Sequence, residues 1–267
     1  MVLFSLNILE FNAFDRSCRI SLSIIEKMSI TSRAVKHTLD GETFSNLLVF
    51  DDTKQGRRPC VLVFHAWEGR SADQEKFAHK LTEWGYAALA VDLYGEGKRG
   101  GTPEECNALM TPLLQDRALV RKRLLKVMEV VQGLLEVDAA NIGAIGFCFG
   151  GLCALDLARA GAAVKGVASF HGNLSASGLP TITPITAKVI AFHGWDDPFG
   201  PPDHVVALGQ EFSAAGADWQ LHVYGATMHA FMNENANMPK MGLLYNARSA
   251  GRAWNELQLF LKDAFGA

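Results

Sequence analysis

Cys148 stands in the run Gly146-Phe147-Cys148-Phe149-Gly150-Gly151, directly after the apolar segment Asn141-Ile142-Gly143-Ala144-Ile145. A strand that enters a glycine-framed turn and leaves as a helix pushes the residue at its tip out of the backbone. The glycines keep any Cβ out of the close strand–helix approach. This is a nucleophile-elbow pattern with cysteine where serine usually stands, and it points to a hydrolase. The alternative reading is a space-filling cysteine, since free cysteine is among the most buried residue types. Packing alone does not require glycines on both sides.

Such a thiol needs a base that holds the thiolate and later activates water, and a carboxylate that orients the base. Two downstream segments offer them. His193-Gly194-Trp195-Asp196-Asp197-Pro198 follows an apolar run at 189–192, and Gly225-Ala226-Thr227-Met228-His229-Ala230-Phe231 follows one at 221–224. By chemistry alone Asp196 and Asp197 are equal candidates for the acid, and an Asp before Pro is also a turn former. A lone histidine in a loop is commonly structural. The order nucleophile, acid, histidine nevertheless fits a triad with His229 as base. His65 and His193 sit at strand ends near the same edge and read as wall or structural residues. Cys153, five positions after Cys148 in the following helix, reads as buried and inert.

Periodicity places the elements that carry these residues. Residues 44–50 and 59–65 read as strands, the second continuously apolar, as a strand buried on both faces should be. Further strands read at 86–91, 142–145, 166–170, 189–193 and 221–224. Helices read at 73–84, at 113–135, after Cys148, after Pro202 and at 248–265, and residues 92–103 read as a loop. In the second helix Val120, Leu124, Val127, Met128, Val131, Leu134 and Leu135 share one stripe, which is core packing. Strands alternating with helices predict the α/β class, a mostly parallel sheet with helices on both faces. Ligands bind beyond the carboxyl ends of such strands, where the elbow lies.

The 267 residues, about half of them apolar, suit one α/β domain over 29–267. A net charge of −3 argues against nucleic acid or an anionic membrane surface as partner. Five cysteines without paired spacing argue against a disulfide framework and for a reducing, cytoplasmic setting. No CxxC or HExxH motif stands in the chain, so a metal site is not expected. No apolar stretch is long enough to span a bilayer. Residues 1–28 read as an N-terminal extension that lacks the basic start of a signal peptide. A packing arm, a homodimer interface element and upstream sequence all stay open for it.

The chain resembles the dienelactone hydrolase family of α/β-hydrolases over roughly residues 29 to 267. The resemblance is carried by the cysteine elbow at 146–151, Asp92-Leu93-Tyr94-Gly95, Gly194-Trp195-Asp196-Asp197-Pro198 and His229-Ala230-Phe231. It selects Asp197 over Asp196 and implies a cofactor-free triad of Cys148, Asp197 and His229. The backbone N–H groups of Phe149 and Trp67 are then expected to hold the oxyanion. Three positions depart from the family pattern. Ala66 stands where many members have Glu, with Glu68 two residues on. Glu96 replaces a carboxylate-gripping Arg, with Lys98 and Arg99 only nearby, and Asn233 replaces a second such Arg. Without bidentate Arg pairing an anionic substrate is poorly held. The resemblance therefore looks closest to a promiscuous offshoot acting on small neutral or activated esters, phosphotriesters included. A true carboxymethylenebutenolidase and a non-catalytic small-ligand binder are the alternatives. Phe147, Phe149, Trp67, Trp195 and Phe199 are candidates to wall an aromatic pocket, with Tyr94 and Arg99 beside it.

Overall fold

Apolar runs bounded by turn residues become the strands of a single eight-stranded sheet. In the computed structural model, which describes residues 28–266, these are β1 (Ile30–Leu39), β2 (Glu42–Asp51), β3 (Arg58–Phe64), β4 (Ala87–Val91), β5 (Val137–Phe147), β6 (Gly166–Phe170), β7 (Lys188–Gly194) and β8 (Trp219–Tyr224). Their order is β1-β2-β4-β3-β5-β6-β7-β8. The strands from β4 to β8 in that order run parallel, while β1 and β2 form an antiparallel hairpin and β2 joins β4 antiparallel. The extension read over 1–28 lies, except for Met28, outside the described residues.

Among the described residues six helices cover the sheet: α1 (Ala72–Glu83), α2 (Pro103–Gln115), α3 (Arg117–Gln132), α4 (Phe149–Arg159), α5 (Pro202–Ala214) and α6 (Ala247–Phe265). Strand side chains alternate between two cores. Cys60, Leu62 and Phe64 of β3 pack with Leu124 of α3, Leu155 of α4 and Phe212 of α5. Val61 and Val63 pack on the other face with Leu81 of α1 and Leu257 of α6. The fold is thus a mostly parallel α/β sheet with helices on both faces, as the alternation predicts.

Three elements differ from the sequence reading. The first is α2, which begins at Pro103, whereas the sequence reading has no helix between 84 and 113. Residues 113–135 are not one helix, because Asp116 breaks it. The Asp116 carboxylate accepts the Leu119 N–H at 2.9 Å and caps α3, while its own N–H donates to the Pro112 carbonyl at 3.0 Å. Leu134 and Leu135 fall beyond α3, and Leu135 is exposed. The edge strand β1 escapes the pattern because Val35 is its only fully buried residue.

Parallel strands bring their carboxyl ends to one edge. The segments after β3, β5, β6, β7 and β8 therefore converge, delivering Trp67, Cys148, His171, Asp197 and His229. The hairpin β9 (Asn237–Met238) and β10 (Leu243–Leu244), joined by a 3-10 turn, follows the His229 loop. It is tied to that loop by the Leu244 N–H, which donates to the His229 carbonyl at 3.0 Å.

Candidate active site

At the end of β5 the chain turns through Cys148 at φ 54°, ψ −115°, a conformation rare for a residue with a Cβ. Its N–H donates to the Phe170 carbonyl at 3.0 Å. The turn is tight enough to dictate its neighbours. A Cβ on Gly146 would lie 1.9 Å from the Gly150 carbonyl oxygen, and one on Gly150 would lie 2.3 Å from that of Phe64. Cys148 therefore occupies the N-cap of α4, at the positive end of the helix dipole, and its carbonyl accepts the Gly151 N–H at 3.0 Å.

His229 is buried, and its Nδ1–H donates to Asp197 Oδ2 at 2.7 Å. The other oxygen of Asp197 accepts the Phe199 N–H at 2.8 Å. Asp196, the chemically equal candidate, points to solvent. His193 holds the acid loop from beneath, its Nε2–H donating to the Gly200 carbonyl at 2.7 Å. Burial alone would depress the His229 imidazolium. The Cys148 charge, the Asp197 hydrogen bond and a hydrogen bond with Cys148 outweigh it, and the pKa rises from 6.5 to about 10. An imidazole balanced between a thiol and a carboxylate can hold a thiolate and move a proton.

The loop after β3 brings Trp67 to the same place, and two groups pin it. His65 donates through Nδ1 to the Ala66 carbonyl at 2.7 Å and accepts the Leu93 N–H at Nε2, 3.2 Å away. That pattern fixes its tautomer. Burial lowers its pKa to about 4, so it stays neutral. The Tyr94 hydroxyl donates to the Trp67 carbonyl at 2.9 Å.

A cavity of about 410 Å³ opens over these groups. Cys148, His229, Trp67, Glu68, Phe147, Phe149, Phe199 and Asn233 all line it. Phe199 stands edge-on to His229 with ring centroids 5.0 Å apart. Burial pushes the Glu68 carboxyl up, with Asp73 adding to the effect. Among the described residues no lysine or arginine lines this cavity, whereas Glu68 and Asp73 do.

Four pocket candidates lie elsewhere. Tyr94 is buried beneath the loop it pins. Glu96 and Arg99 point outward because the Asp92 carboxylate gathers the N–H groups of Ser45, Tyr94, Gly95 and Gly97 at 2.8 to 3.0 Å. That contact, with the Glu96 N–H on the Thr43 carbonyl at 2.7 Å, turns the loop toward β2. Trp195 is half exposed on the outer side of the acid loop and walls nothing. The scarcity of positive charge in the cavity therefore arises from Asn233 and from the lining as a whole, not from Glu96.

The lining also holds residues that spacing did not reveal. Phe77 comes from α1, read as a helix without a role, and Met110 and Leu114 come from α2, most of which the sequence reading assigned to no element. Met232, Met238, Met241 and Leu243 come from the His229 loop and the hairpin after it, and His171 follows β6. The signal for His171 was its place one residue past a buried strand at the functional edge. Cys153 is buried in α4, where burial pushes its thiol well up. Among the described residues there is no cluster of metal-ligating side chains and no helix long and apolar enough to cross a membrane.

The dienelactone hydrolase family model matches residues 46–265. A putative carboxymethylenebutenolidase of Aquifex aeolicus is 30% identical over 213 residues, covering 76% of this chain and 87% of the relative. A probable 2-oxo-3-(5-oxofuran-2-ylidene)propanoate lactonase of Bradyrhizobium sp. is 25% identical, covering 78% and 84%. Among solved structures, a dienelactone hydrolase-like promiscuous phosphotriesterase from metagenomic libraries superposes with a TM-score of 0.81 at 30% identity, covering 88% of this chain and 99% of that one. With the sheet order, the elbow and these likenesses in hand, the chain belongs to the dienelactone hydrolase family, hydrolases of the α/β-hydrolase fold that act on ester bonds.

Proposed function

We propose that this chain is a cysteine hydrolase of small uncharged esters, with Cys148 as nucleophile, His229 as acid and base, and Asp197 as the group that orients His229. The observation that carries the reading is the His229 Nδ1–Asp197 Oδ2 contact of 2.7 Å beside Cys148, in a cavity whose lining bears no lysine or arginine. The Cys148 thiolate attacks the ester carbonyl carbon, and the carbonyl π electrons move to oxygen. The N–H groups of Phe149 and Trp67 accommodate that oxyanion. Collapse breaks the bond to the leaving oxygen, which takes the proton of His229 and departs as the alcohol. The thioester left on Cys148 is then attacked by water. His229 takes one proton of that water, the acid departs, and the thiolate–imidazolium pair is restored. Asp197 fixes the imidazole tautomer and stabilises its charged form throughout.

A neutral phosphotriester can use the same parts through a phosphorylated Cys148. This second substrate class is supported by the likeness to a promiscuous phosphotriesterase and by a largely apolar lining that bears no lysine or arginine. Glu68 is the acid of this cavity closest in sequence to the family's missing Glu, and we assign it the modulation of the resting thiol. The protein acts without a cofactor and in a reducing, cytoplasmic setting on this reading.

Turnover of p-nitrophenyl esters, a dienelactone and an aryl phosphotriester by wild type and Cys148→Ala tests the reading. The expected result is loss of turnover by about 10³-fold or more in the variant. Mass spectrometry should show an acyl or phosphoryl adduct on Cys148 of wild type. Equal turnover by the two proteins would sink the mechanism.

A further inference from the structure

One buried group in the cavity has no role in the mechanism above. His171 follows Phe170, the last residue of β6, at φ 39°, a left-handed conformation that a bulky side chain rarely adopts. Its N–H still donates to the Phe192 carbonyl at 2.8 Å, so the sheet ladder closes before the chain turns. The ring lines the cavity with Cys148 and His229. It is only 3% exposed, and beyond a contact with its own backbone neither ring nitrogen has a hydrogen-bond partner among the described residues.

That state is unlike the chain's other buried strand-end histidines. His65 has both nitrogens satisfied, and His193 holds Gly200 through Nε2 and leaves only Nδ1 without a partner among the described residues. A buried polar atom without a partner costs free energy, and such atoms are rare in folded proteins. Backbone strain together with an unpaired ring aimed into a cavity points to a partner that arrives with the substrate. The ring stands edge-on to His229, centroids 4.9 Å apart, and edge-on to Phe231 at 5.3 Å. Burial, and then the neighbouring His229 charge, hold its pKa well below the ordinary value. A neutral imidazole keeps one N–H donor and one acceptor nitrogen. It can donate a hydrogen bond without competing with His229 for a proton.

We propose that His171 is a substrate-binding residue that donates a hydrogen bond to the bridging oxygen of the scissile ester, on the leaving-group side beside His229. The inference rests on the cysteine mechanism above and deepens it. The bridging oxygen has two lone pairs and gains charge as its bond to the acyl carbon breaks. One lone pair takes the His229 proton while the other accepts from His171. The site therefore selects oxygen esters, both carboxylic and phosphoric, over thioesters, whose bridging sulfur is a weak acceptor.

The test compares kcat/KM for phenyl butyrate and phenyl thiobutyrate in wild type and His171→Phe, which keeps a ring against His229 and Phe231. The oxygen ester is expected to lose about ten- to a hundredfold and the thioester less than about threefold. Alkylation of Cys148 by iodoacetamide should keep its wild-type rate, since the thiol and its base are untouched. Equal losses for both substrates, no loss for either, or slowed alkylation would each overturn the proposal. If His171→Phe does not fold, His171→Leu carries the same ratio test. Failure of the cysteine reading shows separately, as undiminished turnover in Cys148→Ala.

Discussion

Asp196 and Asp197 are adjacent, chemically identical and both past the end of β7, yet only one touches His229. Which of two neighbours faces inward depends on the turn, here closed by the Asp197 N–H on the Gly194 carbonyl at 3.1 Å and the Asp196 N–H on the Thr227 carbonyl at 3.0 Å. Residue chemistry alone cannot express that, and the choice came from the family resemblance. Asp197→Asn is expected to lower kcat by about 10³- to 10⁴-fold, as an amide holds the wrong tautomer. Asp196→Asn should leave it within about twofold, measured on the same p-nitrophenyl ester. The charge on His229 has its own sign. Its pKa is raised from 6.5 to about 10, so stability tied to the imidazolium is whole below 6.5 and lost as pH rises through 10. Leaving-group protonation should fail over the same alkaline range. Removing the thiol in Cys148→Ala takes away a main cause of the rise, and burial then weighs more. The His229 pKa in that variant should fall, as followed by imidazole NMR titration.

At the scale of elements, the loop after β3 shows how a site is held by groups that never enter it. Tyr94 was legible as part of a family motif but not as a clamp, because its target is a backbone carbonyl that no pattern records. Glu96 misled for a related reason. Its position in the motif matched a substrate-gripping residue, but the Asp92 carboxylate draws that loop outward. Long-range side chain–backbone contacts of this kind decide where a loop points, and sequence spacing does not carry them. Strands β2 to β8, the elbow and α4 were legible because each depends on local periodicity and on glycine. Tyr94→Phe removes only the hydroxyl that holds the Trp67 carbonyl. The expected cost is about 0.5–1.5 kcal/mol of stability. A looser Trp67 N–H should lower kcat by about three- to thirtyfold with little change in KM, since the oxyanion exists only beyond the ground state. A change confined to KM would contradict a role in holding the oxyanion loop.

Across the whole molecule, the site depends on α4 keeping its place between α3 and α5. At the C-terminal end of α4, opposite Cys148, Arg159 has a fully buried side chain. It donates to Glu211 of α5 at 2.8 and 2.9 Å and to Asp156 at 3.1 Å. Asp156 in turn accepts two bonds from Arg117 of α3 at 2.7 and 2.8 Å. Three helices are thus tied at one point by charges removed from water. Breaking such a network by one partner costs more than replacing a pair, because Arg159 stays buried with only Asp156, itself shared with Arg117, to compensate its charge. Glu211→Ala should therefore destabilise the chain by about 3–5 kcal/mol in chemical denaturation. The double variant Arg159→Met with Glu211→Leu removes the charge as well as its partner and leaves Asp156 paired with Arg117. It should recover most of that loss, and its folded fraction should hydrolyse esters at the wild-type rate, because the network touches no group of the cavity. If the double variant proves no more stable than Glu211→Ala, packing around α5 rather than charge compensation holds this end of α4.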